Sequence, residues 1–405
     1  MRMKAYALVL LFAACSDDEH FVGCNLVVPP PTGDTTTDHA NVQTALASVE
    51  SGNVVCLHKG TYRFADELDL SFINNIEIRG SSLDEGTSWD FRPQMHGSYG
   101  LQVTTVNGFK LSRIAVLNAH GDAIRVSEST GVTFSEVIVD WQDGPKMTNG
   151  PYGLYPVSCS HILIDRCHVS GAADAGIYVG QSDTIIVRDS EASGNVAGIE
   201  IENSTDAEVV GNWAHDNVGG ILVFNLPGLP VRDGKRANVH HNRVENNNLD
   251  SFADPAGIVS LVPGGTGMIL LASDSNEIHD NYVANNRSVG LAVISWKVTM
   301  RQSDDPLYDF YPQSNYIHDN TFMHSGYDPP EGSIAAAFAA GTRMSLPDMA
   351  WDGYFDPTKN DPNLTNCFEN NHGSFLNLDG ADNFNHPTAM LPVCGMRTRL
   401  PQVNF

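Results

Sequence analysis

Long hydrophobic runs and basic residues are what this sequence lacks. Beyond residue 14, no segment approaches the roughly eighteen apolar residues that a membrane-spanning helix needs. The 405 residues contain 23 Lys and Arg against 48 Asp and Glu, which gives a net charge of −25. An acidic chain without a basic cluster is repelled by phosphate backbones and by anionic lipid surfaces. The composition therefore excludes nucleic acid as a partner and restricts membrane contact to a lipid anchor.

Paired metal-binding cysteines and common catalytic motifs are also missing. None of the seven cysteines belongs to a CxxC pair, so a zinc cluster is not predicted. No Gly-x-Ser-x-Gly, P-loop or dinucleotide fingerprint occurs in the strand–helix context that each requires. We therefore expect that the protein requires no cofactor.

The first fifteen residues predict export. Arg2 and Lys4 precede the apolar segment 5–14, which is too short to span a membrane and is typical of a signal peptide. Cys15 follows two alanines and precedes a polar stretch, and this resembles the bacterial lipobox, although Phe12 stands where that motif usually has Leu. We expect residues 1–14 to be removed and Cys15 to carry lipid; cleavage of an ordinary signal peptide nearby is the alternative.

Short strand-like runs recur at about 22 residues, a period that indicates a solenoid. Runs that begin with glycine follow one another at steps of 22, 22, 47 and 23 residues, so one coil is enlarged by insertions. These runs start at Gly176, Gly198, Gly220, Gly267 and Gly290. Apolar and polar residues alternate within each run, and Gly, Asn, Asp and Ser separate the runs, as in strands joined by turns.

Stacked short strands without intervening helices predict an all-β fold, a right-handed, single-stranded parallel β-helix of about ten coils. We assign 39–370 to this domain with its loop insertions, 15–38 to an N-terminal linker and 371–405 to a C-terminal cap. Residues 39–49 have helical spacing and are expected to cap the first coil. One inward column is predicted to form an asparagine ladder through Asn212, Asn242, Asn281 and Asn320, and Phe368 and Asn370 are placed in one further coil.

Four runs carry a family resemblance: DAGIYVGQS at 174–182, AGIEIENS at 197–204, GGILVFNLPG at 219–228 and VPGGTGM at 262–268. They resemble bacterial secreted or lipid-anchored parallel β-helix repeat proteins of unestablished activity. The resemblance implies export and the fold, and it assigns no catalytic residue. More distantly, the coils are similar to pectate lyases and mannuronan epimerases, although the Asp-Pro-His-Asp motif of the epimerases is absent.

One outward column offers candidate functional residues: Arg125, Tyr155, Tyr178 and Glu200. Tyrosine rings stack on sugar faces, Arg125 suits a carboxylate, and Glu200 suits proton transfer. For hydrolysis, the candidate partners of Glu200 are Glu202 on the same strand and Asp143 on an overhanging loop. Long loops are predicted to wall this face into a groove. The alternative is a solvent-facing ladder that only stabilises the sheet.

His240, His279 and His318 occupy equivalent outward positions and are weak candidates for a divalent metal site. The alternative is a solvated stack beside the asparagine ladder. The acidic segments 304–309 and 352–361 are candidate Ca²⁺ sites because carboxylate oxygens are preferred Ca²⁺ ligands; a solvated acidic surface is the alternative.

In an oxidising compartment, two cysteine pairs are expected to form disulfides. Cys367 and Cys394 flank the irregular cap, and Cys24 is expected to tie the N-terminal segment to Cys56 on the first strand. Cys159 and Cys167 lie eight residues apart across a strand, a separation of about 26 Å that no disulfide bridges, so both are expected to be free.

Two functions follow from these patterns. The first is an exported, lipid-anchored β-helix protein that binds a polysaccharide along an external sheet groove, with processing by lyase, epimerase or hydrolase chemistry left open. The alternative is a non-catalytic surface or assembly lipoprotein that acts through a protein partner. The net charge disfavours polyuronates unless Ca²⁺ or Arg125 bridges them, and so favours neutral glycans or a protein partner.

Overall fold

The computed structural model describes residues 21–81, 86–342, 346–359, 361, 364–395 and 397–405. The expected signal peptide at 1–14 and the expected lipidation at Cys15 lie outside the described residues.

Three parallel sheets form the described part of the chain, and each strand pairs with the equivalent strand of the next coil. The sheets have 12, 10 and 11 strands and are called sheets A, B and C. This architecture confirms the predicted parallel β-helix.

Sheet A contains Leu26–Val28, Val54–Leu57, Asn74–Arg79, Asn107–Ser112, Thr130–Ser135, Ser160–Asp165, Asp183–Arg188, Thr205–Val210, Lys235–His240, Glu277–His279, Tyr316–His318 and Cys367–Glu369. Sheet B contains Gly60–Arg63, Thr87–Asp90, Ile114–Leu117, Ile138–Asp140, His168–Ser170, Glu191–Ser193, Trp213–His215, Arg243–Glu245, Tyr282–Ala284 and Thr321–Met323. Sheet C contains Leu68–Ser71, Tyr99–Thr104, Asp122–Ser127, Leu154–Val157, Ala175–Gly180, Ala197–Glu202, Gly219–Phe224, Thr266–Leu271, Val289–Ile294, Met349–Trp351 and Phe375–Asn377.

In the described ranges, the helices lie outside the three sheets. The α-helices are Thr35–Ala47 and Ile334–Thr342, and the short 3-10 helices are Val259–Leu261, Trp296–Thr299 and Gly380–Asp382. None of the described helices has the length and apolar character needed to cross a membrane.

The predicted N-terminal capping helix is present, but it starts four residues earlier than expected, at Thr35. The side chain of Asp34 accepts a hydrogen bond from the Thr37 N–H (2.8 Å), which satisfies a free donor of the first turn. The helix buries Val42 and Leu46 and so covers apolar residues of the first coils. The segment assigned to the linker also contributes a strand, Leu26–Val28, to sheet A.

The predicted asparagine ladder is confirmed. The side-chain amides of Asn212, Asn242, Asn281 and Asn320 each donate to the side-chain oxygen of the next asparagine, at 2.9–3.0 Å. The last acceptor is Asn371, so the ladder continues one residue beyond Asn370, the residue predicted to carry the further coil.

Two further buried ladders occur at other corners of the coils, and sequence analysis missed both. Their amides pair over the same range, 2.9–3.2 Å. The first consists of Asn195, Asn217, Asn247 and Asn286, and the second of Asn276, Asn315 and Asn366. Because each side-chain oxygen also accepts a backbone N–H from the preceding coil, the ladders fix the register of successive coils.

The outer face of sheet C carries a second hydrophobic core. Loops at 225–234, 248–264 and 297–314 fold over this face in its middle and C-terminal coils, and apolar side chains fill the space between loops and sheet. The core contains Ala175, Tyr178, Val196, Ala197, Val218, Leu222, Phe224, Ala253, Val259, Val262, Ile269, Leu271, Ala272, Trp296 and Tyr308. The expected open groove is therefore restricted to the N-terminal coils of sheet C.

The last residues of the chain lie across the outer face of sheet A. The backbone N–H groups of Leu400 and Val403 donate to the carboxylates of Glu277 and Glu208, which lie two coils apart. Phe405 ends the crossing against His161, with ring centroids 5.8 Å apart. The sequence did not predict this crossing, since the segment has no repeat pattern.

The structure contains both expected disulfides, Cys24–Cys56 and Cys367–Cys394. Cys159 and Cys167 are free and buried, as predicted. Burial raises the pKa of the Cys159 thiol to about 11 and that of the Cys167 thiol to about 12, so both are unreactive thiols at neutral pH.

Replacing Asn281 by Leu tests the ladder. The change leaves buried groups on Asn242, Asn320 and Val239 without partners, and each such group costs roughly 1–3 kcal/mol. We expect the free energy of unfolding in urea to fall by at least that amount. The matched control is Asp280→Asn, because Asp280 is half-exposed and has a left-handed φ that Asn tolerates. Equal losses in the two variants would contradict the buried, paired assignment.

Peptide mapping without reductant tests the sulfur assignment. We expect one cross-linked peptide pair for Cys24–Cys56, one for Cys367–Cys394, and unmodified thiols at Cys159 and Cys167. Closing the 27-residue separation in the C-terminal cap is expected to stabilise the protein by about 3 kcal/mol. A bridge that includes Cys159 or Cys167 would be inconsistent with the strand register.

Candidate functional site

The candidate column on sheet C has the predicted register. Arg125 lies opposite Tyr155, and Tyr178 lies opposite Glu200 on the next coil. The strands of Tyr155 and Tyr178 pair directly, and their ring centroids are 5.0 Å apart. The four predicted residues therefore occupy successive coils of one face.

Exposure divides this column into two parts. Arg125 and Tyr155 are half-buried and reach solvent, whereas Tyr178 is 5% exposed and Glu200 is 2% exposed. The difference arises because the loops of the second core begin to cover the sheet at Tyr178. The site thus lies at the border between the open and the covered parts of sheet C, with Tyr178 and Glu200 as its floor.

A third tyrosine, Tyr152, completes an aromatic cluster that sequence analysis did not identify. Its ring lies 4.6 Å from the rings of both Tyr155 and Tyr178, measured between centroids. Tyr152 lies three residues before Tyr155, just outside the strand that carries the predicted column, so the repeat did not identify it. The signal available in the sequence was an aromatic residue close to a loop that walls this face.

Arg125 lies between tyrosine rings. Its guanidinium carbon is 5.4 Å from the centroid of Tyr99 and 5.7 Å from that of Tyr155, and its Nη1 donates to Ser127 Oγ (3.2 Å). Cation–π contacts of this kind hold the guanidinium flat against the open part of sheet C. Arg125 and the rings of Tyr99 and Tyr155 therefore form a surface that a ligand can reach, which we call the Arg125–Tyr155 platform.

Four carboxyl groups surround the tyrosines: those of Asp122, Asp174, Glu200 and Glu202. Of these, only Glu200 belongs to the predicted column. Burial raises the pKa of Asp122, Asp174 and Glu202 to about 7 in each case. Burial, together with the charges of Asp174 and Glu202, raises the pKa of Glu200 well above its ordinary value. The cluster therefore binds protons near neutral pH and can donate or accept them there.

Two tyrosine hydroxyls bond carboxyl groups of this cluster. The Tyr178 hydroxyl donates to Glu202 Oε1 (2.7 Å), and the Tyr152 hydroxyl donates to Asp174 Oδ2 (3.3 Å). Glu200 Oε2 is buried and has no hydrogen-bond partner among the described residues. An unpaired buried carboxylate is costly, so burial favours the protonated form of Glu200.

Of the two carboxylates predicted to accompany Glu200, the structure brings only Glu202 into the cluster. Asp143 is largely exposed and forms ion pairs with Arg92 (3.9 Å) and Lys146 (3.6 Å) instead. Asp174, on the coil before Glu200, acts electrostatically on Glu200 instead.

The three histidines named as metal candidates form a stack on the outer face of sheet A. Their ring centroids are 4.8 Å apart between His240 and His279 and 5.1 Å apart between His279 and His318. Nε2 of His240 pairs with Glu208, and Nε2 of His318 pairs with Glu277, at 3.0 and 2.9 Å. The ring nitrogens thus face separate protein partners, and the stack is buried at His240 and His318 rather than solvated.

The acidic segments named for Ca²⁺ are also engaged within the chain. Asp305 pairs with Arg232 (2.8 Å) and Asp309 with Lys359 (2.7 Å), while Asp352 is buried and accepts the Ser295 N–H. Among the described residues, Asp379, Asp382 and His386 have converging ligand atoms at the surface, a weak indication of a metal site. Ca²⁺ therefore stays a prediction.

Comparisons with known proteins identify the fold. A family model described as a right-handed β-helix region matches residues 99–261. A search of curated proteins finds no sequence match.

Solved structures extend the likeness to most of the chain. The A-module of mannuronan C-5 epimerase AlgE4 from Azotobacter vinelandii is 13% identical with a TM-score of 0.52, over 88% of this chain and 94% of that one. DFA-IIIase from Arthrobacter chlorophenolicus A6 is 12% identical with a TM-score of 0.54, over 87% of each chain. The Streptococcus pneumoniae surface protein and adhesin PfbA is 12% identical with a TM-score of 0.52, over 89% of this chain and 97% of that one. These likenesses confirm the predicted fold class and its distant similarity to a mannuronan epimerase.

Replacing Glu202 by Gln tests the electrostatics of the cluster. The pKa of Glu202 rises from 4.5 to about 7 on folding, so the unfolded chain loses its proton first and the free energy of unfolding falls as pH rises through this window. Glutamine stays neutral and still accepts the Tyr178 hydroxyl bond. We expect the variant to match the wild type below pH 4.5 and to be more stable, by on the order of 3 kcal/mol, above pH 7.

The control for this titration is Asp183→Asn, a change at an exposed carboxylate on sheet A. Urea unfolding at several pH values gives the comparison. A variant of Glu202 whose stability difference from wild type does not change with pH would contradict the raised pKa.

Proposed function

We propose that this protein binds a polysaccharide along the open part of sheet C and processes it with the acid–tyrosine cluster at the border of the covered part. The observation that carries the proposal is the position of the reachable Arg125–Tyr155 platform directly beside Glu200 and Glu202. Buried carboxyl groups without ion-pair partners are expensive to maintain, and they are typical of functional sites.

The spacing of the coils supports an extended glycan as the ligand. Asp69, Gln102, Arg125 and Tyr155 follow one another on adjacent strands, which lie about 4.8 Å apart. A sugar unit has a similar length, so each coil offers one side chain to one unit of a chain that runs parallel to the helix axis. The likeness to AlgE4, whose name states action on mannuronan, fits this class of ligand.

We also propose that the protein acts outside the cytoplasm with a lipid anchor at Cys15. Two disulfides fit an oxidising compartment. The short apolar segment before Cys15 supports attachment of diacylglycerol to that residue. Detection of a diacylglyceryl-modified Cys15 as the N-terminus of the mature protein, by mass spectrometry of membrane fractions, would support this assignment, and a mature chain that starts elsewhere would reject it.

A surface or assembly lipoprotein with a protein partner is the second candidate. The observation in its favour is that sheet B exposes large aromatic side chains at Trp213 and Tyr282, which are 38% and 39% exposed. Exposed aromatic residues are enriched at protein interfaces. The likeness to the adhesin PfbA is consistent with this candidate.

Replacing Tyr155 by Ala separates the two candidates. Tyr155 is reachable and packs at the edge of the second core, so its loss removes a stacking surface while the buried Tyr178 stays in place. We expect the affinity for a polysaccharide identified on a glycan array to fall about 5- to 100-fold. Circular dichroism confirms folding.

The matched control for Tyr155→Ala is Tyr282→Ala, which removes an exposed tyrosine from sheet B. It should leave glycan affinity unchanged. The reverse pattern, with affinity lost only in Tyr282→Ala, would move the binding site to sheet B.

A further inference from the structure

Two tyrosine–carboxyl pairs lie side by side, with their rings in tilted contact. Tyr178 bonds Glu202, Tyr152 bonds Asp174, and the two rings are 4.6 Å apart. Glu202 is 8% exposed, and Asp174 is somewhat more exposed. The ring of Tyr155 on the platform lies 4.6 Å from that of Tyr152 and 5.0 Å from that of Tyr178, so a chain bound on the platform lies one tyrosine ring away from each carboxyl group.

Two of the three tyrosines, Tyr152 and Tyr178, are poorly placed to act as bases. Both the Tyr152 and the Tyr178 hydroxyl protons are committed to carboxyl oxygens, and burial raises the pKa of both phenols above the usual range. Elimination or epimerisation of a uronate requires a base at the sugar C5 proton and positive charge at the sugar carboxylate. One arginine among four carboxyl groups does not supply that charge, so the arrangement disfavours these reactions.

The same charges select the substrate. Asp122, Asp174, Glu200 and Glu202 lie in one site, and Arg125, the cation that acts on Asp122, already contacts two tyrosine rings and Ser127. A polyuronate brings one negative charge per sugar to this site and is repelled by ionised members of the cluster. An uncharged glycan meets no such barrier.

We propose that the site hydrolyses a glycosidic bond of an uncharged polysaccharide, with Asp174 as general acid and Glu202 as general base. The assignment rests on the proposed function, since it names the reaction and the substrate class of the same site. Glu202 is the base because it accepts the shorter tyrosine hydrogen bond, 2.7 Å against 3.3 Å for Asp174, which favours its carboxylate form.

The reaction consumes one water molecule. Glu202 takes a proton from the water as the water oxygen bonds to the anomeric carbon, and the glycosidic bond between that carbon and the leaving oxygen breaks. Asp174 gives its proton to the leaving oxygen, so each cleavage creates one new reducing end. Return of the proton from Glu202 to Asp174 by exchange with water restores both groups.

The test uses the full mature protein with a panel of neutral polysaccharides (β-glucan, xylan, mannan, inulin and dextran) and two charged ones, alginate and polygalacturonate. Binding, release of reducing ends, and formation of unsaturated sugar by ultraviolet absorbance are measured separately. The variants are Asp174→Asn and Glu202→Gln, and the matched control is Glu245→Gln, which alters a buried glutamate on sheet B.

We expect the wild type and Glu245→Gln to release reducing ends from a neutral polysaccharide, and both site variants to bind it with the rate reduced about 10²- to 10⁴-fold. Unsaturated sugar from alginate or polygalacturonate, or binding of a neutral glycan without cleavage, would overturn hydrolysis while leaving glycan binding in place. Failure to bind any member of the panel would overturn both this inference and the proposed function.

Discussion

The fold depends on buried asparagine amides that must be paired from one coil to the next. Each side-chain oxygen accepts a backbone N–H and an amide N–H from the preceding coil, as Asn281 does for Asn242. A shift of one residue between coils would leave these groups unpaired in the interior, where each costs roughly 1–3 kcal/mol. The ladders therefore hold the coils in register, and register is what places one side chain of each coil in the column that contains Tyr155 and Glu200.

Periodicity made the fold and the column predictable. A repeat of 22 residues fixes which positions coincide after one turn, so the alignment of Tyr178 with Glu200 followed from counting residues. Exposure did not follow, because alternation identifies the outward residues of a strand but not the loops that later cover them. Tyr178 and Glu200 are therefore buried, although the sequence placed them on an open face.

Several of the residues that sequence analysis missed lie outside the repeat. Asp174 lies in a turn before its strand, and the crossing of sheet A by Leu400 and Val403 comes from a segment with no internal pattern. Asn195 and Asn217 lie 22 residues apart, so the repeat itself predicts their ladder. The contacts that irregular segments make with distant parts of the chain depend on the shape and charge of the folded surface. The local sequence does not determine these.

We propose that a glycan lies on Tyr155 with a glycosidic bond between Asp174 and Glu202. The sharpest test is a crystal structure of the Glu202→Gln variant with a bound oligosaccharide of the neutral polysaccharide that binds best. We expect a sugar ring against Tyr155 and a glycosidic oxygen within hydrogen-bonding distance of Asp174. Sugar bound on sheet B near Trp213, or on sheet C with no glycosidic bond near these carboxyl groups, would contradict it.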